Sequence, residues 1–363
     1  MTHYPKMGLV LSGGGIRGLA HLGVMEVLEQ ARIPVDYLAG TSMGALLGGI
    51  YASGVPLSDL IAFASRVGIM DFAAPCPEWR GLFGHTKMQK LLADLMGSDT
   101  LTFEDLKIPL SIIAADVESG EMVLLNRGPL IPAMMASAAF PLIFSPVRHF
   151  DRWLVDGGVV NNYPVDIVRQ MGAERVIGIN TPPSVRLNMA NGNNHQGRRR
   201  LSPQMLFSLV NYAPDWKLPM LIAETSAQLT TDIVNARRLH LCPPDIQLDI
   251  NLPNVGTFTS DKNADIIDTG RKAAMDRLGD LMRLYLKPQP PRWKQKLLAF
   301  FKRLRRAWAV LHEPDWPVFP QTYVENPGTP ALQVAKDEPP AILKPAPAIQ
   351  SAEATKPPDS PKP

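Results

Sequence analysis

Residues 7–18 read MGLVLSGGGIRG and residues 37–44 read YLAGTSMG, two apolar runs that each end in glycine. Met7–Ser12 predicts a buried strand. Leu19, Leu22, Val24, Val27 and Leu28 follow at helical spacing, so Leu19–Ala31 predicts a helix. Ile33–Ala39 predicts a second strand and Ser42–Ala52 a second helix. Working outward, strands are predicted at Leu110–Ala115, Met122–Leu125, Trp153–Val155, Arg175–Ile179 and Ile246–Asn251. Helices fit at Met88–Met96, Ile131–Ala138 and Pro164–Met171, and Leu201–Leu286 is mainly helical. Strands alternating with helices imply an α/β fold around a mostly parallel sheet.

The glycine loop has three readings. Gly13, Gly15 and Gly18 satisfy the dinucleotide fingerprint G-x-G-x-x-G, with Asp36 about 20 residues on as a ribose acceptor. The same loop, with converging backbone N–H groups at a helix N-terminus, suits the oxyanion of an acyl-transfer intermediate. It is also compatible with a plain tight turn. Gly40-Thr41-Ser42-Met43-Gly44 weighs toward the oxyanion, because G-x-S-x-G between a strand and a helix is the context of a nucleophile elbow. In that setting Ser42 is the nucleophile and Gly40 and Gly44 relieve crowding. By itself Ser42 could equally be a helix N-cap. A serine nucleophile needs a base. Asp156-Gly157-Gly158 follows the apolar Trp153–Val155 and puts a carboxylate at a strand end, where an Asp-Gly turn is the plainer alternative. The order Ser42, Asp156, His240 would suit a triad, but His240, His21 and His149 all lack a supporting motif. No His/Cys/Asp/Glu cluster has metal-ligand spacing, so no metal is expected.

The chain has 363 residues, 45% hydrophobic and 20% charged, which excludes a wholly disordered polypeptide. The net charge of +3 hides three regions: +7 on residues 291–312, −3 on 313–363 and −1 on 1–290. A general nucleic-acid-binding surface is not indicated. Cys76 and Cys242 make no disulfide framework and read as buried reduced thiols. The N-terminus lacks the pattern of a secretion signal, which makes the cytoplasm the expected compartment. Tyr37–Ser58 and Gly128–Val147 are uncharged and near membrane-spanning length, but internal prolines favour buried elements of a core.

The set GGGIRG (13–18), GTSMG (40–44), ASAAFP (136–141) and DGG (156–158) resembles the patatin-like phospholipase family. The resemblance is strong over residues 7–180 and weaker to 285. It implies a three-layer α/β/α fold and a catalytic Ser42–Asp156 dyad without histidine. It also implies an oxyanion hole formed by the loop of Gly13, Gly14, Gly15, Arg17 and Gly18, and no cofactor. The implied activity is that of a serine esterase in lipid degradation, cleaving acyl esters of phospholipids, lysophospholipids or neutral lipids. A nucleotide-cofactor enzyme and a non-catalytic lipid-binding protein are the competing classes.

Residues 1–183 then form the catalytic core, 184–200 (SVRLNMANGNNHQGRRR) a polar mobile loop, and 201–290 a helical completion of the same domain. Residues 291–312 follow, and the Pro-rich 313–363 predicts a disordered tail. In Arg292–Leu311, Trp293, Leu297, Phe300, Phe301, Leu304, Ala307, Trp308 and Leu311 share one helical face, while Lys294, Lys302, Arg303, Arg305 and Arg306 take the other and Lys296 lies nearer the boundary. Such a basic amphipathic helix suits peripheral attachment to an anionic membrane surface, here the inner face. Packing of the apolar face on the protein body is one alternative, and nucleic-acid binding, disfavoured by the near-neutral body, is another.

Overall fold

The computed structural model describes residues 4–72, 74–76, 81–182, 231, 234–252, 255 and 262–286. The expected loop at 184–200, the basic helix at 291–312 and the tail at 313–363 lie outside the described residues. The chain begins with β1 (Met7–Leu11), a 3-10 helix (Gly15–Leu19), α1 (Ala20–Gln30), β2 (Tyr37–Thr41) and α2 (Met43–Ser53). Next come α3 (Leu57–Ala64), α4 (Ile69–Phe72), the short β3 (Ala74–Pro75) and β4 (Phe83–Gly84), and α5 (Thr86–Met96). A 3-10 turn at Phe103–Asp105 leads to β5 (Leu110–Asp116), β6 (Met122–Leu125), α6 (Leu130–Ser137), β7 (Val147–His149) and β8 (Arg152–Asp156). The core continues with α7 (Gly158–Asn161), α8 (Val165–Gln170) and β9 (Arg175–Asn180). Residues 234–241 are helical, and β10 (Ile246–Asp249), α9 (Asn263–Asp276) and α10 (Leu278–Leu286) follow.

An eight-stranded sheet runs in the order β10-β9-β1-β2-β5-β8-β7, with β6 also paired to β5. The pairings from β10 to β5 are parallel, whereas β6, β7 and β8 pair antiparallel. The central strands β1, β2 and β5 are buried almost throughout because both faces are covered. Leu9, Leu11, Leu38, Ile112, Ala114, Ile177 and Ile179 face one core, shared with α1, α2 and α6. The alternate residues Val10, Ala39, Ile113 and Val176 face a second, smaller core with Val165, Ile167 and Val168 of α8. This alternation at a period of two makes the three layers of the expected α/β/α fold. On the outer side α9 closes on α1 at two glycines. A Cβ on Gly23 would overlap the Ile267 carbonyl, and one on Gly270 the Ala20 carbonyl. The ion pair of Arg271 with Glu26, 2.7 Å, spans the same contact.

Two local expectations change. The second strand starts at Tyr37 rather than Ile33, because Pro34 has no amide for a ladder and Asp36 turns its carboxylate back to the Met7 N–H, 2.8 Å. Cys76 and Cys242 are not joined in a disulfide, and they are half-buried rather than buried. The uncharged stretch from Tyr37 divides into β2 and α2, and that from Gly128 contains α6. Among the described residues no helix is long and apolar enough to cross a membrane.

Candidate active site

β2 hands the chain to α2 through Ser42, whose φ of 55° and ψ of −123° lie in a region that costs a non-glycine residue strain. The turn is tight enough to need both flanking glycines. A Cβ on Gly40 would stand 2.5 Å from the Gly44 carbonyl oxygen, and one on Gly44 would overlap the Leu11 carbonyl of β1. The Ser42 carbonyl accepts from Ala45 and Leu46 and so opens α2. Its amide donates to Ser137 Oγ at 2.9 Å, and the Ser137 hydroxyl donates in turn to the Ile113 carbonyl at 2.6 Å. Ser137, from the ASAAFP stretch, therefore ties the elbow to β5.

Sheet topology brings the carboxylate to the serine. Ile112 and Ile113 pair with both β2 and β6, and Ala114 and Ala115 with both β6 and β8. Strands β2 and β8 therefore occupy the same edge of β5 and meet end to end. Thr41 lies opposite Ile113 and Asp156 opposite Ala114, so the C-terminal ends of the two strands abut. Asp156 is buried, its amide donating to the Ala139 carbonyl at 3.0 Å and its Oδ1 accepting the Gly158 N–H at 2.7 Å. Gly157 permits the fit, since a Cβ there would overlap the Ile113 carbonyl. Burial pushes the Asp156 carboxyl up to about 6, against the Ser42 hydroxyl and the Gly158 amide, which both favour the anion. Oδ2 is enclosed and has no partner in hydrogen-bond geometry among the described residues. The Ser42 hydroxyl lies close enough to the carboxylate to favour its anion.

The glycine loop is clamped from one side. The Gly13 amide donates to the Asn162 carbonyl at 3.2 Å, while the Gly13 carbonyl accepts from Asn162 Nδ2 and Thr181 Oγ1, each at 3.3 Å. Because C=O and N–H point oppositely across a trans peptide, these bonds aim the Gly14 N–H away from Asn162 and Thr181. Gly14 and Gly15 then stand at the start of the 3-10 helix, where amides lack intrahelical acceptors. The other members of the sequence-derived oxyanion set are occupied. Gly13 is bonded to Asn162, and by the i→i+3 pattern Arg17 and Gly18 spend their amides inside the helix. Arg17 is buried. Gly18 serves instead as clearance, since a Cβ there would come within 2.6 Å of Met43 Cγ.

None of the described histidines is placed as a base. His21 is buried with Nε2 donating to the Ser12 carbonyl at 2.8 Å, and burial lowers its pKa to about 4. His85 bonds the Ser145 carbonyl, His149 packs edge-on against Phe150, and His240 is an exposed residue of the segment 234–241. The dinucleotide reading fails on geometry. Asp36 precedes β2 and bonds Lys6 and Met7 at the start of β1, the opposite end of the sheet from the glycine loop. The five residues of β1 separate them by about 16 Å. Among the described residues no three His, Cys, Asp or Glu side chains group to hold a metal. Ser137, Asn162 and Thr181 are site residues that the motifs alone do not mark, although Ser137 lies within ASAAFP and Asn162 four residues after DGG.

Residues 9–169 match the family model described as Patatin-like phospholipase. An uncharacterized NTE family protein of Mycobacterium bovis is 32% identical over 178 residues, covering 48% of this chain and 49% of that protein. A patatin-like phospholipase domain-containing protein of Caenorhabditis elegans is 36% identical over 183 residues, 47% of this chain and 13% of its own length. The match thus spans about half of the mycobacterial protein and a small part of the nematode one. VipD from Legionella pneumophila is similar at 15% identity with a TM-score of 0.44, covering 77% of this chain and 68% of that one. The glycine loop, Ser42 and Asp156 thus all fall within the span, residues 9–169, that matches the patatin-like phospholipase model.

Proposed function

We propose that the protein hydrolyses carboxylic esters of lipids, of the phospholipid, lysophospholipid or neutral-lipid kind, with Ser42 as nucleophile and Asp156 as general base. The observation that carries this reading is the abutment of β2 and β8, which sets a strained serine beside a buried carboxylate of raised pKa. A carboxyl with a pKa of about 6 is ionised at neutral pH yet basic enough to take a hydroxyl proton in the transition state. As Ser42 Oγ bonds the ester carbonyl carbon, its proton passes to Asp156. The amides of Gly14 and Gly15 receive the oxyanion, each well-placed donor contributing about 3–4 kcal/mol. Collapse breaks the ester C–O bond, and the leaving alcohol takes the proton from Asp156. Water then attacks the acyl-enzyme with Asp156 again as base, releasing the fatty acid and restoring Ser42.

Residues 1–183 would carry this chemistry and 201–290 complete the same domain. The basic segment 291–312 would hold the enzyme on anionic membrane. Fatty-acid release from a lysophospholipid and a short-chain ester tests the core of the reading. Wild type should be active and both Ser42→Ala and Asp156→Asn inactive but folded; activity retained by Ser42→Ala rejects it. Co-sedimentation of the full chain with phosphatidylglycerol vesicles, lost on deleting 291–312, tests the membrane role, and unchanged binding removes it.

A further inference from the structure

We propose that the acyl chain of the substrate occupies an apolar crevice between α2, α3 and α5, and that Ile50 sets the chain length accepted; this rests on the ester-hydrolase reading above. The crevice encloses a void of about 30 Å³ and is lined by apolar side chains alone. Two of its residues are chain neighbours of the reacting groups. Ile16 follows Gly15 and Met43 follows Ser42, and both form its wall. The crevice therefore borders the nucleophile elbow and the 3-10 helix that follows the glycine loop.

α2 measures its depth. Met43 is at the mouth, Leu46 and Leu47 lie one turn in, and Ile50 is seven residues on, about 10 Å along the helix. An all-apolar wall suits methylenes, each worth about fourfold in binding when buried, and disfavours a head group whose polar atoms would find no partner. The void as it stands has room for about one water, so the chain must displace side chains to enter. Met43, Phe63, Leu91 and Leu95 are only half-buried along the crevice. Met43, an unbranched thioether whose Cβ and Cγ lie over Gly18, is the most adaptable of them.

The test uses full-length protein and para-nitrophenyl butyrate, octanoate and palmitate. Ile50→Trp should lower the ratio of kcat/KM for octanoate and for palmitate to that for butyrate about tenfold or more. Ile50→Ala should move the palmitate-to-butyrate ratio the other way, and it decides the matter if the tryptophan variant does not fold. Ratios unchanged from wild type, with butyrate hydrolysis still dependent on Ser42, overturn the crevice assignment alone. Butyrate hydrolysis that survives Ser42→Ala overturns the parent reading and this one with it.

Discussion

Replacing Asp156 by asparagine should make the protein more stable at neutral and alkaline pH while removing activity. The carboxyl is buried and its pKa moves from 3.8 to about 6. At about 1.4 kcal/mol per unit, that shift is a penalty of about 3 kcal/mol on the folded anion. Its sign follows from proton linkage. Below about pH 4 both folded and unfolded states are protonated at this site and the group contributes nothing. Between about pH 4 and pH 6 the unfolded chain ionises first, so stability falls as pH rises, and above about pH 6 the whole penalty is in place. The asparagine variant has no such dependence and keeps an oxygen for the Gly158 N–H. Urea unfolding of both proteins at about pH 4 and about pH 8 measures the difference, and titration of every other group cancels in the comparison. The gap between variant and wild type should widen in favour of the variant by about 2.5 kcal/mol between those values, since the unfolded carboxyl is already about half ionised at pH 4. Parallel profiles would falsify the placement of a buried, destabilised carboxylate at 156.

The same titration predicts that kcat/KM for an ester rises with pH to a plateau, with an acid limb near 6. His21 is already neutral above about 4, so a limb that persists in His21→Asn is expected, and one that vanishes assigns the base wrongly. Ser42→Gly should be about 1 kcal/mol more stable than Ser42→Ala, because only glycine relaxes at φ 55° and ψ −123°; equal melting temperatures argue against strain at the elbow. Asn162→Ala frees the Gly13 carbonyl on one side and should lower kcat about 10- to 100-fold with little change in KM; a purely structural role would show as lost melting temperature at normal kcat. Ser137→Ala leaves the Ser42 amide and Ile113 carbonyl without their shared hydroxyl and should cost about 1–3 kcal/mol in urea unfolding.

The legible parts of this protein are local ones. Apolar runs forecast β1, β5 and β9 to within a residue and β2 to within four, because a strand buried on both faces must be largely hydrophobic. The elbow was legible for a similar reason: a strand, a serine between two glycines and a helix constrain one another over a dozen residues. What the chain left unreadable depends on residues distant in sequence. Ser42 and Asp156 are 114 positions apart, and only the sharing of one edge of β5 by a parallel and an antiparallel strand sets them side by side. The glycine loop looked uniform as a string of letters, yet bonds from Asn162 and Thr181 occupy one end of it and the 3-10 pattern the other. The start of β2 was misplaced because the carboxylate of Asp36 reaches back across 29 residues to Met7. Residue type and spacing thus determined which groups could do chemistry. Tertiary structure decided which amides are free, which carboxylate is dry and which apolar wall lies beside the serine, because desolvation and hydrogen-bond pairing are properties of a packed neighbourhood.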